Sequence, residues 1–265
     1  MDKGALLDRL GAAGEERLAL SRVLDRYEQS CRRGSGEATD FLTPQQRLRS
    51  QELLRMAGAG AGTYVCTGGY AEAERQVILF LPDWLEAEMA ETISPIRCLR
   101  ASFRAEKPLS HRDFLGSLMG MGVAREKVGD ILVTAESADI LVLDTVADFL
   151  LQSWESAGRT RLHLQEVERS CIHIPQASTE EVRDTVSSLR LDAVIAAGLR
   201  MSRGKAAELV SSGRVQVNWM ECTKADKLLA EGDTVSARGF GKFRLAAVGG
   251  TTKKGRISVT LLRYV

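Results

Sequence analysis

Basic side chains cluster in the stretch Arg190–Trp219, which reads RLDAVIAAGLRMSRGKAAELVSSGRVQVNW. Arg203 and Lys205 fall in the first turn of a predicted helix, because Ser202 is a preferred N-cap residue and Gly213 suits the C-terminal end. Unpaired backbone N–H groups give the start of a helix a partial positive charge, so cations there are unfavourable unless an anion binds or the side chains extend into water. The stretch therefore indicates a phosphate site, with two solvated side chains as the alternative.

Two short helices and a strand are predicted to position these side chains. Apolar residues recur at helical spacing within residues 191–199 and again within 206–210. Apolar and polar residues then alternate along 215–219, which is the period of a half-buried strand.

The charge of the chain is unevenly distributed. The 265 residues carry a formal net charge of +1, yet residues 183–265 hold 15 Lys/Arg and 7 Asp/Glu, a net charge of +8. Residues 1–182 have a net charge of −7. This division is typical of a basic module that faces nucleic acid, attached to an acidic body, and uneven solvation is the weaker alternative.

Composition excludes several classes of protein. A hydrophobic content of 44% and a charged content of 27% are ordinary for a globular protein of two or three compact units. We find no stretch near the roughly 18 apolar residues of a membrane span, nor the apolar segment of a signal peptide, and predict no membrane association. Five scattered cysteines without a CxxC pair predict reduced thiols in a cytoplasmic protein. With only three scattered histidines we expect no metal site, and we expect no cofactor.

The middle of the chain follows the β-α-β-β-α-β order of a ferredoxin-like domain. The predicted elements are, in order, a strand at 96–103, a helix at 112–119, strands at 131–135 and 140–143, a helix at 145–156 and a strand at 161–167. RNA-recognition motifs share this plan, but the two strands that would stack bases hold one aromatic residue, Phe103. We therefore expect no aromatic stacking platform on this domain.

The whole chain is predicted to have an α+β fold. Residues 1–57 are mainly helical, with a helix that begins at Thr43-Pro44, and the polar segment 172–182 is predicted to be a linker or a domain boundary. Short strands follow Trp219. The expected domains are a helical and mixed N-terminal region at 1–75, a ferredoxin-like (RRM-like) domain at 76–175 and a C-terminal domain at 182–265.

Two motifs suggest chemistry that their surroundings do not support. The glycine run Gly58–Gly62 follows a helix and precedes a predicted strand, which reverses the order of a dinucleotide-binding loop. The HRD motif at 111–113 resembles a kinase catalytic loop, but Leu118 stands where an asparagine is required. Ser110 and Asp113 instead fit a helix cap. With no nucleophile, paired-carboxylate or methyl-donor motif, we predict no catalytic residues and no enzymatic activity.

The stretch Arg190–Trp219, followed by EGDTVSA at 231–237, resembles the S-four domain, an RNA-binding module named after small-subunit ribosomal protein four. The similarity covers about 190–240 and rests on RLD, the SR at the second helix start, the GRVxVN strand and the GD turn. Trp219-Met220 departs from the Gly-Lys that follows the asparagine in many of these domains. In related factors that tail nascent chains, arginines corresponding to Arg190 and Arg203 contact RNA.

The remainder of the chain is similar to the YlmH family of bacterial proteins. The similarity rests on Gly68-Gly69-Tyr70 with Ala73-Glu74-Arg75, on HRDFLGSLMGMGVAREKVGDILV at 111–133 and on RGFGKF at 238–243, and it spans nearly the whole chain. It implies a factor of ribosome-associated quality control. Such a factor binds a large ribosomal subunit that still carries peptidyl-tRNA and assists C-terminal tailing of the stalled nascent chain. Some members are linked to cell division.

We therefore predict a monomeric RNA-binding protein whose partners are ribosomal RNA and tRNA on the large ribosomal subunit. The predicted RNA contacts are Arg190, Arg203, Lys205, Arg214, Asn218, Lys224 and Lys227. Asp192 is expected to hold backbone or an arginine, because a carboxylate repels phosphate. The alternatives are an RNA-modifying enzyme of the pseudouridine synthase or methyltransferase type and an accessory protein of cell division.

Overall fold

The computed structural model describes residues 2–105, 107–175, 179–252 and 255–264. The chain forms two compact units, Met1–Pro175 and Gln176–Val265. Three residues of the predicted linker, 176–178, and the basic pair at 253–254 lie outside the described residues. Across the described ranges, every helix is too short or too polar to cross a membrane.

The first unit combines helices with two antiparallel sheets. Its helices are α1 (Lys3–Arg9), α2 (Gly14–Arg33), α3 (Pro44–Met56), α4 (His111–Gly120) and α5 (Asp144–Ser153). Its strands are β1 (Glu37–Ala38), β2 (Tyr64–Thr67), β3 (Val77–Phe80), β4 (Ile96–Phe103), β5 (Val128–Val133), β6 (Ser137–Leu143), β7 (Ser156–Ala157) and β8 (Thr160–Val167). Short 3-10 helices lie at Ala87–Ile93, Arg125–Lys127 and Arg169–Cys171.

The helix ends agree with the capping signals in the sequence. Thr43 Oγ1 accepts a hydrogen bond from Gln46 N at 3.2 Å, and Gln46 Oε1 accepts one from Thr43 N at 2.9 Å. This reciprocal pair starts α3, with Pro44 at its first position. Helix α2 ends at Gly34, whose φ of 61° is a left-handed conformation that glycine adopts at little cost. Ser110 and Asp113 form the predicted cap of α4, since Asp113 Oδ2 accepts from Ser110 N at 2.7 Å.

Strand β3 belongs to the N-terminal sheet, whose order is β1-β3-β2. All its residues are buried because both faces are covered. Ile78 and Phe80 pack with Leu54 and other apolar residues of the N-terminal helices, whereas Val77 contacts a cluster that includes Ile96 of β4. The predicted boundary at 75/76 assigned this strand to the middle domain, but the strand pairs with β1 and β2 instead.

The larger sheet of the first unit has the ferredoxin-like order. Its strands pair antiparallel in the order β5-β6-β4-β8, and β7 extends the β8 edge. Helices α4 and α5 cover one face, where Leu99, Phe114 and Ile140 belong to one core. On the opposite face Cys98 and Leu141 are buried in a cluster with Phe41 and Val77. The N-terminal region therefore covers part of the sheet face that an RNA-recognition motif leaves open.

The second unit packs two helices against a six-stranded antiparallel sheet. Its helices are α6 (Leu191–Gly198) and α7 (Arg203–Ser211). Its strands are β9 (Thr179–Val186), β10 (Val215–Val217), β11 (Met220–Glu221), β12 (Thr234–Ala237), β13 (Gly241–Thr251) and β14 (Ile257–Tyr264), in the sheet order β11-β10-β12-β13-β14-β9. The predicted helices, the Ser202 cap and the left-handed Gly213, whose φ is 72°, are confirmed.

The segment 172–182, predicted to be a linker or boundary, contains the division between the two units at 175/176, but its C-terminal end is not a linker. Residues 179–182 begin strand β9, which pairs along its whole length with β14. Val182 and Val186 of this strand are buried and face the core of the second unit. The sequence did not reveal this strand because its remaining residues are polar. It lies at the edge of the sheet, where one apolar residue in four is enough to anchor it to the core.

Candidate nucleic-acid interface

Asp192 accepts hydrogen bonds from both Arg190 and Arg203, the two arginines that are predicted to contact RNA. Its side chain is only 6% exposed. Arg190 donates from Nε and Nη2 to the two carboxylate oxygens, both at 3.2 Å. Arg203 donates from Nε at 3.0 Å and from Nη2 at 3.4 Å. We call this arrangement of Arg190, Asp192 and Arg203 the arginine clamp.

The two helices of the second unit set the geometry of the arginine clamp. Arg190 is the N-cap of α6 and Arg203 is the first residue of α7, so both guanidinium groups lie at helix N-termini. Asp192 lies in the first turn of α6 and accepts a further hydrogen bond from Ala193 N at 2.9 Å. The position of the carboxylate is therefore fixed by its own helix, and it orients both arginines.

The arginine clamp carries charge at neutral pH. Burial by itself raises the pKa of Asp192, but the hydrogen bonds from Arg190 and Arg203 outweigh it and hold that pKa below its ordinary value of 3.8. Hydrogen bonding to Asp192 in turn raises the pKa of Arg190. Two guanidinium groups and one carboxylate leave a net charge of about +1.

The arginines of the clamp keep donors for a second acceptor. A guanidinium has five N–H donors, and Asp192 takes two from each arginine. The side chains are 38% exposed for Arg190 and 50% exposed for Arg203. A phosphate can therefore accept hydrogen bonds from both arginines without breaking their contacts to Asp192.

A second basic cluster surrounds Phe240. Lys205 Nζ lies 4.9 Å from the centroid of the Phe240 ring, and Arg214 Cζ lies 5.4 Å from it. Arg214 Nη2 also donates to the Arg238 carbonyl at 2.9 Å. The structure thus brings together two predicted contacts, Lys205 and Arg214, around an aromatic residue that the sequence argument did not single out. The available signal was the RGFGKF motif at 238–243, in which two glycines flank Phe240.

Lys224 and Lys227 lie in a loop beside the arginine clamp. Both are exposed, and the Lys227 carbonyl accepts from Leu191 N at 2.8 Å at the start of α6. Lys227 N donates to the Lys224 carbonyl at 3.2 Å. The loop therefore places these lysines near Arg190, in agreement with a shared surface.

Asn218 holds a hairpin together. Its Nδ2 donates to Asp233 Oδ1 at 2.7 Å and its Oδ1 accepts from Thr234 N at 2.9 Å. Asn218 and Trp219 have φ values of 50° and 64°, the pattern of a type I′ turn between β10 and β11. Both ends of the amide are used inside the second unit, so RNA contact by Asn218 stays a prediction.

The family-like motifs of the first unit meet at Asp130. Tyr70 Oη donates to Asp130 Oδ2 at 2.8 Å, and the backbone N–H groups of Glu74 and Arg75 donate to the same carboxylate at 2.7 and 3.1 Å. Burial and the Asp130 charge raise the pKa of Tyr70, so its hydroxyl remains a donor. Asp130 lies in β5, and these contacts join the 68–75 segment to the larger sheet.

Arg75 has a structural position rather than a solvent-facing one. Its guanidinium donates to the carbonyls of Val128 and Phe41 at 3.0 Å each, and to that of Arg125 at 3.4 Å. Burial and the nearby Arg125 charge lower the pKa of Arg75 to about 10, so it remains a cation at neutral pH. These motifs therefore brace the first unit. Within the described ranges no group of three or more His, Cys, Asp or Glu side chains is placed to hold a metal ion.

The helix pair, the strand and the arginine clamp define the second unit as an S-four domain. The S4 domain family model matches residues 189–235, which contain all three. The chain is therefore an S-four-domain protein, a class that binds RNA.

The rest of the chain shows which family of that class it represents. The model described as "YlmH, N-terminal" matches residues 15–83, and the YlmH RBD model, for an RNA-binding domain, matches 105–170. A protein of Bacillus subtilis (strain 168) named "Ribosome-associated protein quality control protein P2" is 37% identical over 227 residues, which are 85% of this chain and 86% of that protein. The chain belongs to the YlmH family, and both resemblances are confirmed.

The chain is also similar to a solved structure. That structure is described as "Cell division protein ylmH from Streptococcus pneumoniae", with 20% sequence identity and a TM-score of 0.48, and the match covers 58% of this chain and 92% of that one.

Proposed function

We propose that the protein docks on the large ribosomal subunit through RNA contacts of its S-four domain and acts there in quality control of stalled nascent chains. The observation that carries this proposal is the arginine clamp, which presents two oriented guanidinium groups at adjacent helix N-termini. The name of the Bacillus subtilis relative supports the ribosomal setting. The S4 and YlmH RBD family models support RNA as the ligand.

The S-four domain is a better candidate for RNA contact than the sheet of the ferredoxin-like domain. Stacking on that sheet requires an accessible face with aromatic residues. Here Cys98 and Leu141 on the face away from α4 and α5 are 1% and 0% exposed. The second unit, in contrast, is basic: its residues 183–265 carry a net charge of +8, and the whole unit, residues 176–265, carries +6.

The mechanism is electrostatic docking onto structured RNA. Phosphates bind Arg190 and Arg203, with Lys205, Arg214, Lys224 and Lys227 as further contacts, and counterions leave the RNA. Four to six such contacts give a slope of log affinity against log salt of roughly −3 to −4. In this proposal the protein acts as a cytoplasmic monomer without catalysis, and tRNA on the same subunit is a second partner.

The test compares two variants that remove the same charge. Arg203→Ala removes half of the arginine clamp and should weaken sedimentation with purified bacterial large subunits about tenfold, as expected for a charge-assisted hydrogen bond. Arg244→Ala is the control, because Arg244 is exposed and alternates with the buried Phe243 and Leu245 on β13.

We expect Arg244→Ala to change binding less than about threefold at the same salt concentration, as is usual for an exposed charge without a specific contact. Equal losses for both variants would mean that net charge alone determines binding, and unchanged binding of Arg203→Ala would exclude the arginine clamp. Thermal unfolding of both variants verifies that they are folded.

A further inference from the structure

Phe240 is held in an exposed position by its turn. The residue lies between β12 and β13 and is 39% exposed, whereas Phe243, three residues later, is fully buried. Phe240 N donates to the Ala237 carbonyl at 2.9 Å, which closes the turn. Gly239 and Gly241 have φ values of 83° and 132°, which residues other than glycine rarely adopt. The backbone therefore fixes the ring at the surface.

The environment of the ring is cationic. Lys205 Nζ and Arg214 Cζ lie 4.9 and 5.4 Å from its centroid, within the range of cation–π attraction. The hydrogen bond from Arg214 to the Arg238 carbonyl ties the turn to β10 and thereby fixes the relative position of ring and cations. Lys205 follows Arg203 by two residues, so this cluster and the arginine clamp both include a cation from the first turn of α7.

Partial burial does not explain a phenylalanine at this position. A ring that served only to cover the stems of Lys205 and Arg214 could be replaced by leucine, which also buries apolar area. A protein partner would be expected to meet a broader apolar patch. An exposed aromatic ring beside cations is instead the combination that binds unpaired nucleotides, because a base stacks on the exposed part of the ring and the flanking phosphates meet the charges.

We propose that Phe240 stacks on an unpaired base of the bound RNA, while Lys205 and Arg214 bind the phosphates that flank this nucleotide. This inference rests on the proposed function and adds a base contact to the same RNA surface. The S-four domain would then bind an unpaired nucleotide in a loop or bulge, in addition to the RNA backbone.

The test uses the full chain and purified bacterial large subunits, with wild type measured first. Phe240→Ala and Phe240→Leu should both weaken binding about tenfold, within the range found for the loss of one base–aromatic stack. Phe240→Tyr should bind like wild type, because it keeps the ring. Phe149→Ala is the matched control, since Phe149 is a 47% exposed phenylalanine on α5 of the first unit; it should not change binding.

Salt dependence separates the stack from the phosphate contacts. Phe240→Ala should leave the slope of log affinity against log salt unchanged, because stacking releases no counterion, whereas Lys205→Ala should make it shallower by about 1. Binding to deproteinised large-subunit RNA should show the same loss for Phe240→Ala, which distinguishes RNA from a ribosomal protein as the partner.

Three results would overturn the proposal while leaving the proposed function intact. Wild-type binding by Phe240→Leu would show that the ring serves only in packing. Wild-type binding by Phe240→Ala would show that the ring is not part of the interface. A loss seen on subunits but not on deproteinised RNA would assign the ring to a protein contact. If the wild-type chain itself fails to bind subunits, the proposed function fails instead.

Discussion

Asp192→Asn separates the orientation of the arginine clamp from its charge. The substitution keeps the shape of the side chain and an acceptor for Ala193 N, but it removes the negative charge that orients Arg190 and Arg203. If only charge mattered, the more positive variant would bind RNA more tightly. If orientation matters, it binds more weakly.

The two effects differ in size. Immobilising a flexible side chain on binding costs roughly 0.5–1.5 kcal/mol, so two released arginines weaken binding by about 1–3 kcal/mol. Removing one carboxylate at about 6 Å from a phosphate gains only about 0.7 kcal/mol in water, and less in salt. The loss of orientation therefore outweighs the gain from the removed negative charge, and we expect affinity for large subunits to fall about tenfold.

Affinity is measured by sedimentation or fluorescence anisotropy with purified large subunits at one salt concentration. Asp226→Asn is the control, because Asp226 is exposed, lies close enough to Arg190 to raise its pKa, and adds the same charge when neutralised. It should bind slightly more tightly than wild type. Binding of Asp192→Asn equal to or tighter than that of Asp226→Asn would refute the orienting role of Asp192.

Three further predictions concern the first unit. Arg100→Ala should destabilise the protein by about 3–5 kcal/mol in chemical denaturation, because Asp139 is 1% exposed and would lose the paired hydrogen bonds at 2.7 Å that neutralise it; a loss below 1 kcal/mol would contradict this. Arg75→Lys should cost about 2 kcal/mol by the same measurement, since one ammonium cannot replace a guanidinium that donates to three carbonyls, and full stability would show that those bonds are dispensable. Native alkylation followed by mass spectrometry should modify the exposed Cys31 well before Cys98, because burial raises the pKa of Cys98 to about 12, and equal rates would mean that Cys98 is accessible.

The charge state of Asp192 makes a pH prediction as well. Its pKa in the folded protein lies below the ordinary 3.8, so the arginine clamp contributes stability above about pH 3.8 and loses it as pH falls through the lower folded value. Thermal unfolding of wild type and Asp192→Asn should therefore differ at neutral pH and converge in strong acid. A constant difference from pH 7 down to pH 2 would contradict the ion pairs.

Most of the fold follows from local patterns in the sequence. The ferredoxin-like order was predictable because each strand and helix of the middle domain has its own apolar period and turn signals. Strands β1, β7 and β11 could not be predicted, because a strand of two residues is too short to show an alternation of apolar and polar residues. Strand β3 pairs with the preceding strand β2 and with the more distant β1 rather than with β4, and the apolar pattern of β3 alone does not distinguish these partners.

The candidate site was predicted in part for a similar reason. Arg190, Asp192 and Arg203 lie within fourteen residues, and the helix starts that place them are readable from Ser202 and the apolar stripes. The cluster around Phe240 was not predictable, because residues 205, 214 and 240 meet only after the β12–β13 turn folds back on α7.

The central claim is that the protein docks on large ribosomal subunits through phosphate contacts, and the salt dependence of binding tests it most directly. The dissociation constant of the full chain for purified large subunits should rise roughly 60- to 250-fold between about 50 and 200 mM monovalent salt, which is the change that a slope of −3 to −4 gives. A change of less than about threefold over the same range would contradict electrostatic docking onto RNA.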